Sequence, residues 1–256
     1  MEKEKVLEVQ NLYAAYDEMV VLSDVSFSAN KGEVTVILGG SGSGKTTVLN
    51  HLLGLLPIEK GTVSLLGKNV ATLREVEQVA LYLQMGVFYQ NGGLLNSLTV
   101  AENVALPLNQ HTNLPQDLID EIVFMKLGLV NLQHAFYLYP SQLSGGMMKR
   151  AALARAIVMD PPILFCDEPG AGLDPVSLEI LDQLILNLKN KLGMSIIMVT
   201  HEVSSILRVA NRIVFLDKGV VVFEGPLDEA LHSTQPAVNE FFSVMKNDNI
   251  RQLLQG

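Results

Sequence analysis

Gly39-Gly40-Ser41-Gly42-Ser43-Gly44-Lys45-Thr46 decides the reading of this chain. The spacing is G-x-x-x-x-G-K-[ST], the pattern of a loop that cradles phosphates. Val34-Thr-Val-Ile-Leu38 precedes it, an apolar, β-branched run of the length of a buried strand. Thr47-Val-Leu-Asn-His-Leu-Leu53 follows with helix-like apolar spacing. Glycines let the backbone approach an anion closely, so that successive N–H groups point at it. The helix N-terminus adds partial positive charge. In this arrangement Lys45 reaches the β- and γ-phosphates, the Thr46 hydroxyl ligates Mg²⁺, and Thr47 continues the phosphate cradle. The expected ligand is a nucleoside triphosphate with Mg²⁺.

Composition narrows the classes. The 256 residues are 48% hydrophobic and 18% charged, enough apolar material for a substantial core and too little charge for a disordered chain. A net charge of −9, with no Lys/Arg run, argues against a sequence-independent grip on nucleic acid. Cys166 is the single cysteine, so no intramolecular disulfide forms and a reducing compartment is expected. Met-Glu-Lys-Glu-Lys at the start is mixed in charge and unlike a signal peptide. No run of about 18 apolar residues suggests a membrane span. The expectation is a cytoplasmic protein without a direct span.

Outward from the loop, Val6–Leu12, Val20–Phe27 and Thr62–Leu66 read as strands of a small antiparallel layer, with Tyr16 in a turn between the first two. Residues 91–160 turn helical. Thr99-Val-Ala-Glu102 is a capping-box match opening a helix that Pro107 should limit. Pro115 begins an amphipathic stretch that Gly128 is placed to end. Ser144–Val158 is an alanine-rich third helix, stopped by Asp160-Pro-Pro. A strand Ile163–Cys166 then leads to Asp167-Glu168. Helix Pro175–Leu192 follows, with Asp174 as N-cap and Gly193 beyond its end, and then strand Ser195–Val199. Asp217-Lys-Gly219 joins two strands in a hairpin. The fold expected is α/β: a P-loop nucleotide-binding core with an antiparallel β subdomain and an inserted α-helical subdomain.

Asp167-Glu168 sits where ligands gather, beyond the carboxyl end of a strand. Asp167 suits Mg²⁺, and Glu168 suits orientation or deprotonation of the attacking water. Leu143-Ser-Gly-Gly-Met147, Gln90, Asp174 and His201 are each weak alone. Ser144 and Asp174 have sufficient work as helix caps, and His201 could be an ordinary strand-end histidine. Their order changes this. From about residue 6 to 225 the chain resembles the ATP-binding-cassette (ABC) family: an aromatic (Tyr16), the phosphate loop, a glutamine (Gln90), a signature similar to LSGGQ (143–147), Asp167-Glu168, Gly172-Leu-Asp174 and a histidine (His201).

The resemblance implies further roles. Tyr16 stacks on adenine, Gln90 senses Mg²⁺ or the lytic water, and His201 contacts the γ-phosphate. Ser144, Gly145 and Gly146 close over ATP held by a second subunit, with Asp174 at that interface. One phosphate loop and one signature imply a dimer, or a homologous partner, for working sites. Residues 1–225 then form the nucleotide-binding domain and 226–256 a C-terminal extension, whose apolar Phe241, Phe242, Val244 and Met245 either pack on their own core or meet a second subunit. Met147 replaces the usual glutamine. With Gln90-Asn-Gly-Gly-Leu-Leu95 and Glu102-Asn-Val-Ala-Leu-Pro-Leu108, it looks like the Mla-type phospholipid transport ATPases, which serve a permease pair and an MCE-domain protein at the bacterial inner membrane. The alternatives are transporters of amino acids, peptides or ions, a soluble ABC ATPase, and a nucleotide-gated scaffold without turnover.

Overall fold

The computed structural model describes residues 3–17 and 19–247, with backbone alone for 244–247. Its strands are β1 (Lys5–Tyr16), β2 (Met19–Asn30), β3 (Val34–Gly39), β4 (Lys60–Leu65), β5 (Lys68–Asn69), β6 (Met85–Phe88), β7 (Ile163–Asp167), β8 (Ser195–Val199), β9 (Arg212–Asp217) and β10 (Val220–Pro226). Its helices are α1 (Lys45–Leu52), α2 (Glu75–Tyr82), α3 (Val100–His111), α4 (Gln116–Leu129), α5 (Gly145–Ala156), α6 (Pro175–Leu192), α7 (Val203–Val209), α8 (Leu227–Leu231) and α9 (Pro236–Asn247). They group into two compact units: Met1–Leu73 with His201–Gly256, and Arg74–Thr200.

The first unit is built on strands in the order β5-β4-β1-β2-β10-β9-β3. β1 and β2 form a long antiparallel hairpin, with Leu7 opposite Ala29 and Val9 opposite Phe27. The hairpin is longer than its apolar residues alone suggest. Tyr16, expected in the turn, is the last residue of β1 and faces Met19 across the pair. A single parallel bridge, Val220 with Asp24, ties this antiparallel region to β10. β3 runs parallel to β9, Val36 beside Ile213. Every residue from Val34 to Leu38 is fully buried, as a strand covered on both faces must be. The β9–β10 turn takes Lys218 and Gly219 through positive φ (47° and 78°), the backbone of a type I′ hairpin. Phe241 packs edge-to-face on Phe215 at 5.7 Å, and Phe242 is buried beside it. These two rings therefore serve their own unit. The side chains of Val244 and Met245, and residues 248–256 of the extension, lie outside the described residues.

The second unit carries the parallel strands β8-β7-β6, with Ile163 paired to Ser195 on one side and to Met85 on the other. Helices α3, α4 and α5 pack on one another. Two helix ends differ from expectation. α3 starts at its Thr99–Glu102 capping box but runs through Pro107 to His111. The proline removes one backbone bond, yet Val100, Ala101, Val104, Ala105 and Leu108 are all buried, and that packing outweighs a cost of about 3 kcal/mol. α4 likewise continues past Gly128. Asn131 ends it instead, at φ 57°, with Leu132 N–H donating to Leu127 O and Asn131 N–H to Gly128 O. This is a Schellman stop with asparagine in the left-handed position.

Gly86 in β6 holds a different constraint: a Cβ there would lie 2.5 Å from Ala156 O in α5. Because the obstacle is backbone, it cannot swing away. Gly86→Ala should lower stability by about 1–3 kcal/mol, read from the denaturant midpoint.

Candidate functional site

In the first unit the phosphate loop leaves β3 at Gly39, where a Cβ would come within 2.2 Å of Leu216 O. Gly44 turns the chain into α1 at φ 102°, and a Cβ there would sit 2.5 Å from Leu22 Cδ2. The backbone of β9 closes Gly39 to any larger residue, while at Gly44 the positive φ disfavours one. Gly40 and Gly42 are instead open: a Cβ at either meets nothing within 4 Å. α1 begins without a side-chain cap, and a helix N-terminus favours an anionic ligand. Lys45 Nζ donates to Gly39 O and Gly40 O, both at 2.8 Å, which folds the ammonium over the loop. Ser43 is buried, and its carbonyl accepts from Gly219 N–H at 3.2 Å. Ser41 and Thr46 are exposed, and Thr47 is buried above His51, whose Nδ1 lies 2.7 Å from Thr47 O. Tyr16 is half exposed at the hairpin tip, and exposed His201 stands two residues before α7.

In the second unit strand pairing brings two groups to one edge. Phe88 of β6 lies beside Cys166 of β7, so Gln90 and Glu168 leave the same end of adjacent parallel strands, each two residues beyond the pair. Asp167 is the last residue of β7 and is half-buried. Burial, and then the like charge of Glu168, raise its carboxyl above the usual range, while Lys149 opposes them. Glu168 takes a left-handed backbone, φ 44°, unusual for a side chain that is not glycine. It is held there by Glu168 N–H donating to Val199 O at 2.8 Å and Ala171 N–H donating to Glu168 O at 3.1 Å. Cys166 is fully buried, which pushes its thiol far up.

Ser144 caps α5, its hydroxyl accepting from Met147 N–H at 3.3 Å. A Cβ on Gly145 meets nothing within 4 Å, whereas one on Gly146 would press on Ser177 Oγ at 3.0 Å. Asp174 caps α6 through Val176 N–H and Ser177 N–H, both 3.0 Å, and hydrogen bonding from Ser177 foremost lowers its pKa. A cleft of about 410 Å³ joins these parts. Gln90, Gly145, Met148, Lys149, Gly172 and Leu173 are among its lining residues.

Sequence reasoning passed over Lys149. It is buried on α5, donates to Gln90 O, and lies 5.6 Å from the centre of the Phe88 ring. A lysine on the buried side of an alanine-rich helix was the available signal.

Hydroxyl and carboxylate oxygens are the kind of ligand a hard cation takes; Thr46 in the first unit carries an exposed hydroxyl and Asp167 in the second a half-buried carboxylate. Among the described residues no cluster of three or more His, Cys, Asp or Glu could hold a metal ion. No described helix is long and apolar enough to cross a membrane.

Comparison with known proteins agrees with this chemistry. The sequence model of the family described as ABC transporter matches residues 22–171. The chain is 36% identical over 248 residues to the intermembrane phospholipid transport system ATP-binding protein MlaF of Haemophilus influenzae, covering 97% of this chain and 94% of that protein. It is 37% identical over 237 residues to the probable ribonucleotide transport ATP-binding protein mkl of Mycobacterium tuberculosis, covering 93% of this chain and 66% of that one. Among solved structures it superposes on the dimeric, post-hydrolysis ATP-binding cassette MJ0796 bound to ADP and Pi. The TM-score is 0.77 at 29% identity, over 86% of this chain and 98% of the other. A strand-loop-helix phosphate cradle, a carboxylate pair at a strand end and these similarities lead to one conclusion: the chain belongs to the ABC transporter family, as an ATP-binding protein that hydrolyses ATP.

Proposed function

We propose that this ATPase drives phospholipid movement through a membrane transporter, working as a dimer of itself with permease subunits and an MCE-domain protein at the cytoplasmic face of the inner membrane. The observation that carries the cargo is the match to MlaF along nearly the whole of both chains. Met147 in the signature supports the same branch. A second reading, ribonucleotide transport, rests on the similarity to mkl.

Within the nucleotide site, Lys45 and the amides of 40–46 bind the phosphates, Tyr16 stacks on adenine and Thr47 completes the cradle. Thr46, Gln90 and Asp167 are the residues that hold Mg²⁺, which when bound neutralises phosphate charge. Glu168 accepts the proton of the attacking water and His201 steadies the γ-phosphate. Ser144, Gly145, Gly146 and Asp174 face the nucleotide of the second subunit. ATP shared across that interface favours closure, and its hydrolysis favours reopening. Residues 1–225, with a helical subdomain at 91–160, form the cassette, and 226–256 are a C-terminal extension whose Phe241 and Phe242 pack on their own unit.

Purifying the tagged full chain from its own membranes in mild detergent, with mass spectrometry of bound proteins and lipids, tests the cargo. Recovery of a permease, an MCE-domain protein and phospholipid is the expected result. A permease associated with nucleotide would favour the second reading, and soluble partners alone would reject a transport role.

A further inference from the structure

The helix that begins with Ser144 grips the loop that begins with Gln90 at three points. Lys149 Nζ donates to Gln90 O. Ala152 Cβ would stand 3.2 Å from a Cβ on Gly92, closer than ordinary van der Waals contact. Arg155 donates from Nη2 to Gly92 O and from Nη1 to Gly93 O, both at 2.7 Å. The loop carbonyls of 90, 92 and 93 are thus all satisfied by cations of one helix. Charge-assisted bonds of this kind are about twice as strong as neutral ones.

Lys149 differs from Arg155 in its surroundings. Its side chain is buried, its ammonium faces the Phe88 ring, and it lines the cleft shared by Gln90 and Gly145. Asp167 and Glu168 are close enough for their charges to act on it. A buried lysine is costly unless hydrogen-bonded, and here the Gln90 carbonyl is the acceptor.

We infer that Lys149 is a positioning residue for hydrolysis: by donating to the Gln90 carbonyl beside Asp167 and Glu168, it locks the Gln90 loop to the helix headed by Ser144. Whatever moves Ser144 when a second subunit closes then moves Gln90 with it. The residue acts through Gln90. The inference rests on the role proposed above for Gln90.

The test uses the full chain with Lys149→Met, Lys149→Arg and Gln90→Ala. Hydrogen exchange without nucleotide is read over 89–95, together with kcat and KM for ATP. Lys149→Met should exchange faster in 89–95 and little elsewhere, and lose about tenfold in kcat with KM within about twofold; Lys149→Arg should restore both. Unchanged exchange and kcat in Lys149→Met overturn the inference. So does a loss of kcat that tracks a lower melting temperature and is not rescued by arginine. If Lys149→Met does not fold, Lys149→Gln, which keeps a donor and drops the charge, is read in the same way. Normal turnover in Gln90→Ala rejects the role given to Gln90, and the inference with it. Impaired Gln90→Ala beside normal Lys149→Met rejects the inference alone.

Discussion

Glu168→Gln should bind ATP as tightly as the parent chain and hydrolyse it at least ~100-fold more slowly. The substitution keeps the shape of the side chain and removes its ability to take a proton. The backbone supports so specific a result, because Glu168 is held at φ 44° by Val199 O and Ala171 N–H from outside the side chain. The amide variant inherits that placement. Such a backbone in a residue other than glycine costs on the order of 1 kcal/mol, and strain of this kind collects where a side chain must be aimed. Glu168→Gly should therefore fold at least as stably while losing hydrolysis equally. Phosphate release under saturating ATP, beside nucleotide affinity from fluorescence titration, checks both variants. Unchanged turnover in Glu168→Gln would remove the residue from the chemistry.

Lys45→Ala should weaken ATP binding by about 10- to 100-fold, which corresponds to the roughly 1.5–3 kcal/mol of a hydrogen bond to a charged group. Lys45 Nζ now spans Gly39 O and Gly40 O, so the ammonium is already folded over the loop it serves. Moving from two carbonyls to phosphate oxygens exchanges neutral acceptors for charged ones, which favours the bound state. The lysine is half-buried, and its removal leaves two carbonyls at an accessible loop where water reaches them, so the melting temperature should shift little. Isothermal titration with ATP and a thermal melt on the same sample separate the two effects. Equal affinity in the variant would mean that the loop amides alone hold the phosphates.

How far the sequence could be read depended on how local each cause was. The Asp174 cap, Gly193 past α6 and the Asp217-Lys218-Gly219 turn were legible because a few adjacent residues contain the whole hydrogen-bond pattern. The same holds for the strand, glycine loop and helix around Lys45. Pro107 and Gly128 misled for the opposite reason. Local propensity opposes a helix at both, and the buried face of α3 and the Asn131 stop of α4 override it. No local pattern says that Gly86 must clear Ala156 O, or that Gly39 must clear Leu216 O, since each obstacle is brought by a distant segment.

By itself, the sequence determined the chemistry: a loop for phosphate, a carboxylate pair at a strand end, and the order of motifs that marks the family. Only the tertiary structure decided which groups stand together. The β6–β7 pairing sends Gln90 and Glu168 off the same end of adjacent strands, and the packing of α5 sets Lys149 against the loop and the Phe88 ring. A lysine 59 residues from its carbonyl partner has no signature in the chain, because that contact exists only once apolar burial has paid the entropy of bringing the segments together.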